Sequence, residues 1–246
     1  MDEIEGLRNK IEELKKINGV KSDLISVSAH QLRTSVSAVK WTLQMLLDKD
    51  IGPLSEEQEQ FIKKSYGGLE LMNVMVNDML TLNSTDDEEI ILKFEKVNLV
   101  ELIEQTVLEF SGEAKKKGME IIFTKSEENL PEINCNRQMT RVIFQNLIEN
   151  GLKYNRPNGK IWINLKNNKN EVEITIKDSG IGIDRRDQAN IFQRFFRAEN
   201  AKKKDPIGSG LGLYTIKKIV SNQGGTISFE SEPGEGTTFA IVLLIN

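Results

Sequence analysis

Two glycine clusters and a pair of asparagines are the residues best suited to chemistry in this 246-residue chain. Asp178-Ser-Gly180-Ile-Gly182-Ile183 follows a segment patterned as a strand, and Gly208-Ser-Gly210-Leu211-Gly212-Leu213 precedes one patterned as a helix. Glycine permits positive φ and close backbone approach. Free N–H groups at a helix N-terminus can hold phosphate oxygens. Neither cluster matches GxGxxG or the Walker pattern, so each alone is compatible with an ordinary turn. Asn146 and Asn150 stand four apart, on one face of a helix, with Lys153 and Tyr154 within the next turn. Amide oxygens are hard ligands suited to Mg²⁺, which takes few protein ligands plus phosphates. His30 is the single histidine and Cys135 the single cysteine. That excludes multi-His zinc sites and HExxH chemistry, and an internal disulfide framework. Cys135, beside a helix start, reads as a small apolar filler.

Composition narrows the setting for these residues. The chain has 33 Lys and Arg against 37 Asp and Glu, a net charge of −4, and so no global basic footprint for nucleic acid. Hydrophobic residues make up 38%, enough for a real core. No apolar run approaches the roughly 18 to 20 residues of a membrane span. Met1 is followed by Asp-Glu-Ile-Glu rather than a basic and then apolar leader. A cytoplasmic protein, or the cytoplasmic part of something longer, is the expectation.

The first eighty-odd residues read as helix. Ile4, Leu7, Ile11 and Leu14 have the 3-4 spacing of a coiled-coil seam. The register breaks near Asn18-Gly19 and resumes through Ala29, Leu32, Val36, Val39, Leu43 and Leu46. His30 falls one position past that seam, on the outer surface, with Thr34 a turn further along. Asp48–Pro53 stops the helix, and Ser55 with Gln58 forms a capping-box pattern. A second seam runs Phe61, Ser65, Gly68, Met72, Met75, Met79, Leu82. Two helices cannot bury both wide apolar faces alone, so a homodimer closing into a four-helix bundle is expected. A hairpin packed on its own C-terminal domain is the other option.

Ser84–Glu89 is acidic and reads as a linker. Beyond it, helices are expected around Leu99–Phe110, from Asn136 to about Tyr154, and over Leu211–Asn222. Strands are expected over Met119–Thr124, Lys160–Leu165, Val172–Lys177, Thr226–Glu230 and Thr237–Leu244. Helices mixed with antiparallel hairpins indicate an α+β sandwich, a mixed sheet covered by helices. The whole is multidomain: residues 1–21 a coiled-coil helix, 22–86 a dimerising helical hairpin, 87–246 the α/β sandwich.

Asn146-Leu-Ile-Glu-Asn150-Gly-Leu-Lys153-Tyr154 resembles the N box of sensor histidine kinases. The Asp178–Ile183 cluster resembles their G1 box, Ile191-Phe-Gln-Arg-Phe-Phe-Arg197 their F box, and the Gly208–Leu213 cluster their G2 box. Gly234-Glu-Gly-Thr-Thr-Phe239 is similar to their last glycine motif. Ser28-Ala-His30-Gln31-Leu-Arg-Thr34-Ser35 resembles the H box, whose usual form is close to SHELRTPL. The resemblance covers nearly all of the chain from about residue 22. It implies the ATP-binding fold shared with gyrase-like and chaperone ATPases and MutL, and a two-component signalling kinase using ATP and Mg²⁺.

By that resemblance Asp178 would accept from the adenine amino group, with Gly180 and Gly182 shaping its loop. Asn150 would coordinate Mg²⁺ with Asn146 nearby, and Lys153 and Tyr154 would lie at the same site. Gly208, Gly210, Leu211 and Gly212 would present backbone N–H groups to the phosphates. Residues from about 185 to 208 would form a nucleotide lid anchored by Phe192, Phe195 and Phe196. Those phenylalanines read equally well as plain core. Arg194 and Arg197 would reach phosphate. His30 would accept the γ-phosphoryl group and pass it to an aspartate of a separate response regulator. Thr34 matches the position that orients water for dephosphorylation. The sensor domain would lie upstream, outside this chain.

Two positions depart from the pattern. Gln31 stands where an acidic residue usually follows the histidine. Its carbonyl accepts a ring N–H but neither takes a proton nor offsets charge. That predicts a pH–rate profile different from that of a Gln31→Glu variant. Ser35 stands where proline is usual, and proline bends a helix, so a straighter helix is expected. These departures leave a catalytically weak dimeric scaffold as the second reading, and a pure ATPase as a third.

Overall fold

The computed structural model describes residues 2–50, 52–84, 93–125 and 131–245. They fall into two compact units, one helical within residues 2–84 and one mixed over residues 93–206 and 210–245.

The helical unit is a hairpin of α1 (Asp2–Leu47) and α2 (Glu56–Ser84). α1 runs through Asn18-Gly19 without interruption. A shift in apolar register changes which face is apolar, not the i→i−4 ladder, and one glycine costs a helix only about 1 kcal/mol. The helices are antiparallel. Arg33 Nη2 donates to Asn77 Oδ1 at 2.8 Å, Lys40 pairs with Glu70, and Asn83 Nδ2 donates to the Ser22 carbonyl at 3.1 Å. The turn between them includes Gly52 at φ 125°, which a side chain rarely adopts. Ser55 and Gln58 close the expected capping box. Gln58 N–H donates to Ser55 Oγ at 3.2 Å, and Ser55 N–H donates to Gln58 Oε1 at 2.9 Å.

The apolar faces divide in a way the spacing did not reveal. Ala29, Val36 and Val76 are buried within the hairpin, whereas Leu32 is 51% exposed and Met72 53%. Val39, Phe61, Met75 and Met79 are exposed too. The contact inside the hairpin therefore passes through Val76 on α2, not through the methionine seam. The side chains of Ile4, Ile11, Leu14 and Leu82, and the acidic stretch after Ser84, lie outside the described residues.

The mixed unit contains β1 (Glu95–Val97), α3 (Leu99–Lys116), β2 (Glu120–Lys125), β3 (Ile133–Cys135) and α4 (Arg137–Lys153). β4 (Lys160–Asn168), β5 (Glu171–Asp178), α5 (Arg185–Gln188) and α6 (Glu199–Lys204) follow, then α7 (Gly212–Asn222), β6 (Thr226–Glu232) and β7 (Gly236–Leu244). Five strands form a sheet in the order β2-β4-β5-β7-β6, with β2 parallel to β4 and the other neighbours antiparallel. β1 and β3 pair separately, a small ribbon too short to show in the sequence pattern. The α+β sandwich and all five expected strands are present. β4 reaches Asn168, so its hairpin turns on Lys169 and Asn170, with Lys169 at φ 62°.

Alternation sets which sheet face is covered. Ile161, Ile163 and Leu165 of β4, Val172, Ile174 and Ile176 of β5, and Phe239, Ile241 and Leu243 of β7 are all buried. They share one core with Leu102 and Ile103 of α3, Ile143, Phe144, Leu147 and Ile148 of α4, and Ile216 and Ile219 of α7. Asparagine N-caps start the two longer helices. Asn98 Oδ1 accepts from Glu101 N–H at 3.2 Å, and Asn136 Oδ1 from Met139 N–H at 3.0 Å. Cys135 is buried in this core, 3.5 Å from the Thr140 hydroxyl, and burial pushes its thiol pKa up. It is the apolar filler expected. No helix among the described residues is long and apolar enough to cross a membrane.

Candidate functional site

α4 supplies one wall. Its inward stripe of Ile143, Phe144, Leu147 and Ile148 faces the core, which leaves Asn146 and Asn150 half-buried at the edge. Asn146 Nδ2 donates to the Val142 carbonyl at 3.0 Å. Its Oδ1 abuts Gly212, where an added Cβ would come within 2.7 Å. The first asparagine and the start of α7 therefore meet, two motifs about sixty residues apart in sequence. α7 begins at Gly212 with no side-chain cap on its first turn. Its leading N–H groups have no partner within the helix. That is a phosphate-type cradle.

The Asp178 carboxylate lies at the end of β5. Oδ1 accepts from Gly180 N–H at 2.7 Å and Thr237 N–H at 3.3 Å. No described residue donates to Oδ2. Burial pushes the pKa of this carboxyl from 3.8 up to about 6, although the two backbone N–H groups pull it down. A half-buried acceptor with no protein donor of its own suits a ligand N–H. Backbone crowds the carboxylate on both sides. A Cβ on Gly180 would come 2.6 Å from the Tyr154 carbonyl, and one on Gly236 would come 2.0 Å from the Asp178 carbonyl. Glycine is therefore dictated by close approach at both positions, and Gly236 also sits at φ 106°.

Thr237 escaped the sequence reading, and so did the polar network behind Asp178. Ser179 Oγ donates to Asn155 Oδ1 at 3.1 Å and accepts from Lys160 N–H at 2.9 Å. Asn155 Nδ2 donates to the Lys160 carbonyl at 3.1 Å. Ser231 Oγ accepts from Ile183 N–H at 2.9 Å and lies 2.9 Å from Thr237 Oγ1. The β5–β7 register, which sets Lys177 opposite Thr238, brings Thr237 to Asp178. The only local signal was that Thr237 follows Gly236 inside the last glycine motif.

The stretch from 185 to 208, expected as a nucleotide lid, contains the short helices α5 and α6. Phe192 and Phe196 pack on the core, Phe192 edge-on to Phe229 at 5.8 Å. Phe195 does not anchor it. Its ring is 67% exposed and its φ is 63°. Gly210 packs against the backbone of Phe195 and Phe196, where an added Cβ would come within 2.7 Å of both. Arg194 Nη2 donates to Tyr214 Oη at 2.7 Å and stacks on its ring. Arg197 grips the carbonyls of Asp205 and Pro206, the latter at 3.0 Å. Lys153 pairs with Asp205 at 2.5 Å. In this structure these cations hold the segment itself. Gly208 lies in the loop just before α7, and Leu211 is buried at its N-cap.

In the helical unit His30, Gln31, Thr34 and Ser35 are all exposed on α1. Thr34 Oγ donates to the His30 carbonyl at 3.0 Å, and Ser35 Oγ to the Gln31 carbonyl at 3.0 Å. The helix continues unbroken through Ser35, where proline would lose its backbone donor.

The fold and these sites define an ATPase-type nucleotide domain joined to a helical histidine-bearing hairpin. Comparison with known proteins agrees. Residues 136–246 match the family model described as histidine kinase-, DNA gyrase B- and HSP90-like ATPase, and residues 20–88 match the His kinase A phospho-acceptor domain. The chain belongs to the sensor histidine kinases and comprises their catalytic core. It is 32% identical to drug sensory protein A of Synechocystis over 91% of this chain and 35% of that protein. It is 28% identical to the circadian input-output histidine kinase CikA of Synechococcus elongatus over 91% of this chain and 30% of that protein. The chain thus spans about a third of the curated relatives it matches. Among solved structures, full-length ShkA in complex with AMPPNP superposes with a TM-score of 0.68 at 23% identity, over 90% of this chain and 45% of that one. ThkA in complex with the response regulator protein TrrA gives 0.62 at 20% identity, over 94% and 64%.

Proposed function

We propose that this chain autophosphorylates His30 from ATP and hands the phosphoryl group to an aspartate on a separate response regulator. The observation that carries this is the pairing of one exposed histidine on α1 with an adenine-type acceptor in the second unit. That acceptor, Asp178 Oδ2, belongs to a half-buried carboxylate and takes no hydrogen bond from any described residue.

The residues fit the ligand they are assigned. Asp178 Oδ2 accepts the adenine amino group while Gly180 and Thr237 hold Oδ1. The first N–H groups of α7, from Gly212, lie against Asn146 and receive phosphate oxygens, with Gly208, Gly210 and Leu211 forming the approach. Asn150 would hold Mg²⁺, with Asn146 a turn away on the same helix face, and the ion would neutralise charge on the phosphates. Lys153 adds a point cation beside Tyr154. Neither asparagine amide can take a proton from water, which favours transfer to protein over hydrolysis. The neutral imidazole of His30 attacks the γ-phosphorus in line. The bond to the β-phosphate oxygen breaks and ADP leaves. Catalysis here is chiefly positioning and charge stabilisation.

Gln31 next to His30 accepts a ring N–H without taking its proton. Thr34 orients water when the phosphorylated regulator is dephosphorylated. Two chains pair into a four-helix bundle through the apolar residues each hairpin leaves open, Leu32, Val39, Met72 and Met75 among them. A sensor domain outside this chain sets the signal, and the kinase works in the cytoplasm, where ATP is.

Incubation with γ-labelled ATP and Mg²⁺ tests the proposal. Acid-labile, alkali-stable label on the protein, absent from His30→Ala, is the expected result. ATP binding with no label would instead favour a signalling scaffold. Phosphate release indifferent to His30 would favour an ATPase.

A further inference from the structure

The ion pair between Lys153 and Asp205 joins the end of α4 to the segment that runs from α6 towards α7. Lys153 is the last residue of α4, three beyond Asn150. Asp205 is the C-cap of α6, its N–H donating to the Ala201 carbonyl at 3.0 Å. Lys153 Nζ lies 2.5 Å from Asp205 Oδ2, and the two side chains are only 24% and 23% exposed. By contrast, the Lys63–Glu59 pair leaves its lysine 64% exposed. Shelter from solvent makes the Lys153 pair the stronger of the two. The segment is also held from a second side, because Arg197 takes the carbonyls of Asp205 and Pro206 in its fork. The carboxylate is thus delivered to the lysine by a fixed backbone, not by a loose side chain.

Lys153 is the cation that the reading above assigns to the nucleotide phosphates, and this inference rests on that reading. An ammonium held by a carboxylate at contact distance keeps N–H donors for a phosphate, but its charge is already largely offset, so it attracts the phosphate less. Two anions sharing one cation also repel each other. We infer that Asp205 is an internal occupant of the phosphate subsite, holding Lys153 until the phosphates of the nucleotide displace it. Apparent nucleotide affinity is then lowered by the fraction of molecules in which Lys153 is engaged. Displacement of Asp205 frees one tie at the C-terminal end of α6, while Glu199 and Asn200 still hold its start to Asp187 and Gly182, and couples occupancy of the subsite to movement of the residues around Asp205.

The test is binding of a fluorescent ADP analogue with Mg²⁺ to the full chain, compared across wild type, Asp205→Asn, Lys153→Ala and the double variant. Asp205→Asn keeps the shape but not the charge, so it should bind about three- to tenfold more tightly than wild type. The gain should vanish in the Lys153→Ala background. Without nucleotide, trypsin should cut Asp205→Asn faster than wild type at Lys202–Lys204, and saturating nucleotide should remove the difference. Equal or weaker binding by Asp205→Asn would overturn the inference and mark the pair as structural support for the bound state. A gain that persists without Lys153 would overturn it too. If wild type and every variant fail to bind the analogue, the nucleotide reading falls and takes the inference with it. If wild type binds and Asp205→Asn brings no gain, only the inference falls.

Discussion

The two units of this chain solve burial differently. The mixed unit closes its own core: three helices cover one face of a five-stranded sheet, and Phe144, Ile161, Ile174 and Ile216 are almost wholly buried. The hairpin buries Ala29, Val36 and Val76 among its described side chains but leaves Leu24, Leu32, Val39, Phe61 and Met72 largely open. A unit with a closed core is stable by itself. A hairpin with two open apolar faces depends on what covers them, and under the proposed pairing with a second chain its stability varies with protein concentration. The comparison also separates the chemistry. The proposed nucleotide site needs rigid backbone brought together from distant segments, whereas the proposed acceptor, His30, needs only exposure on a helix.

The largest test of this contrast is a pair of substitutions. Phe144→Ala should destabilise the mixed unit by about 3–5 kcal/mol at any protein concentration. Val39→Asp should leave the melting of that unit unchanged but make the hairpin melt earlier and more steeply on dilution. Calorimetry at two concentrations reads both, and a dilution effect on the Phe144→Ala transition would contradict the distinction.

Asp178 probes the site within the closed unit. Its folded pKa of about 6 lies above its ordinary 3.8. Between those values the folded state binds more protons than the unfolded state, so stability falls as pH rises through that window and stays reduced above it. The difference corresponds to a cost on the order of 2–3 kcal/mol at neutral pH. Asp178→Asn should therefore raise the melting temperature of the ligand-free protein at pH 7 while losing nucleotide binding. The gain should disappear near pH 4. A variant less stable than wild type at pH 7 would show that the carboxylate is not strained by burial. The smallest expected effect belongs to the hairpin. Ser55→Ala removes one half of the capping box and should cost about 1 kcal/mol, confined to the helical transition.

Much of this architecture was legible in the residues. The alternation of Ile161, Ile163 and Leu165 marked β4, and Asn98 and Asn136 each cap a helix that apolar spacing had already indicated. Less legible were features that depend on a partner distant in sequence. β1 and β3 are too short to carry a period and exist because they pair with each other. Among the described side chains of α2, Val76 is buried and the methionines are not, because hairpin packing selects the face. Phe195 carries the same apolar signal as Phe192 and Phe196, yet it faces solvent from a backbone position at positive φ.

The same division holds for the site. Motif order placed Asn146, Asn150, Asp178 and the glycines, and a single histidine made His30 the one imidazole available. Those are properties of residue type and local spacing, which short-range sterics and hydrogen bonding determine. That Thr237 N–H reaches Asp178, that Gly212 lies against Asn146, and that Asp205 takes Lys153 were decided only by the tertiary structure. Strand register and helix packing bring together backbone atoms that chain separation leaves unrelated. The strength of a buried carboxylate or ion pair depends on the solvent those contacts exclude.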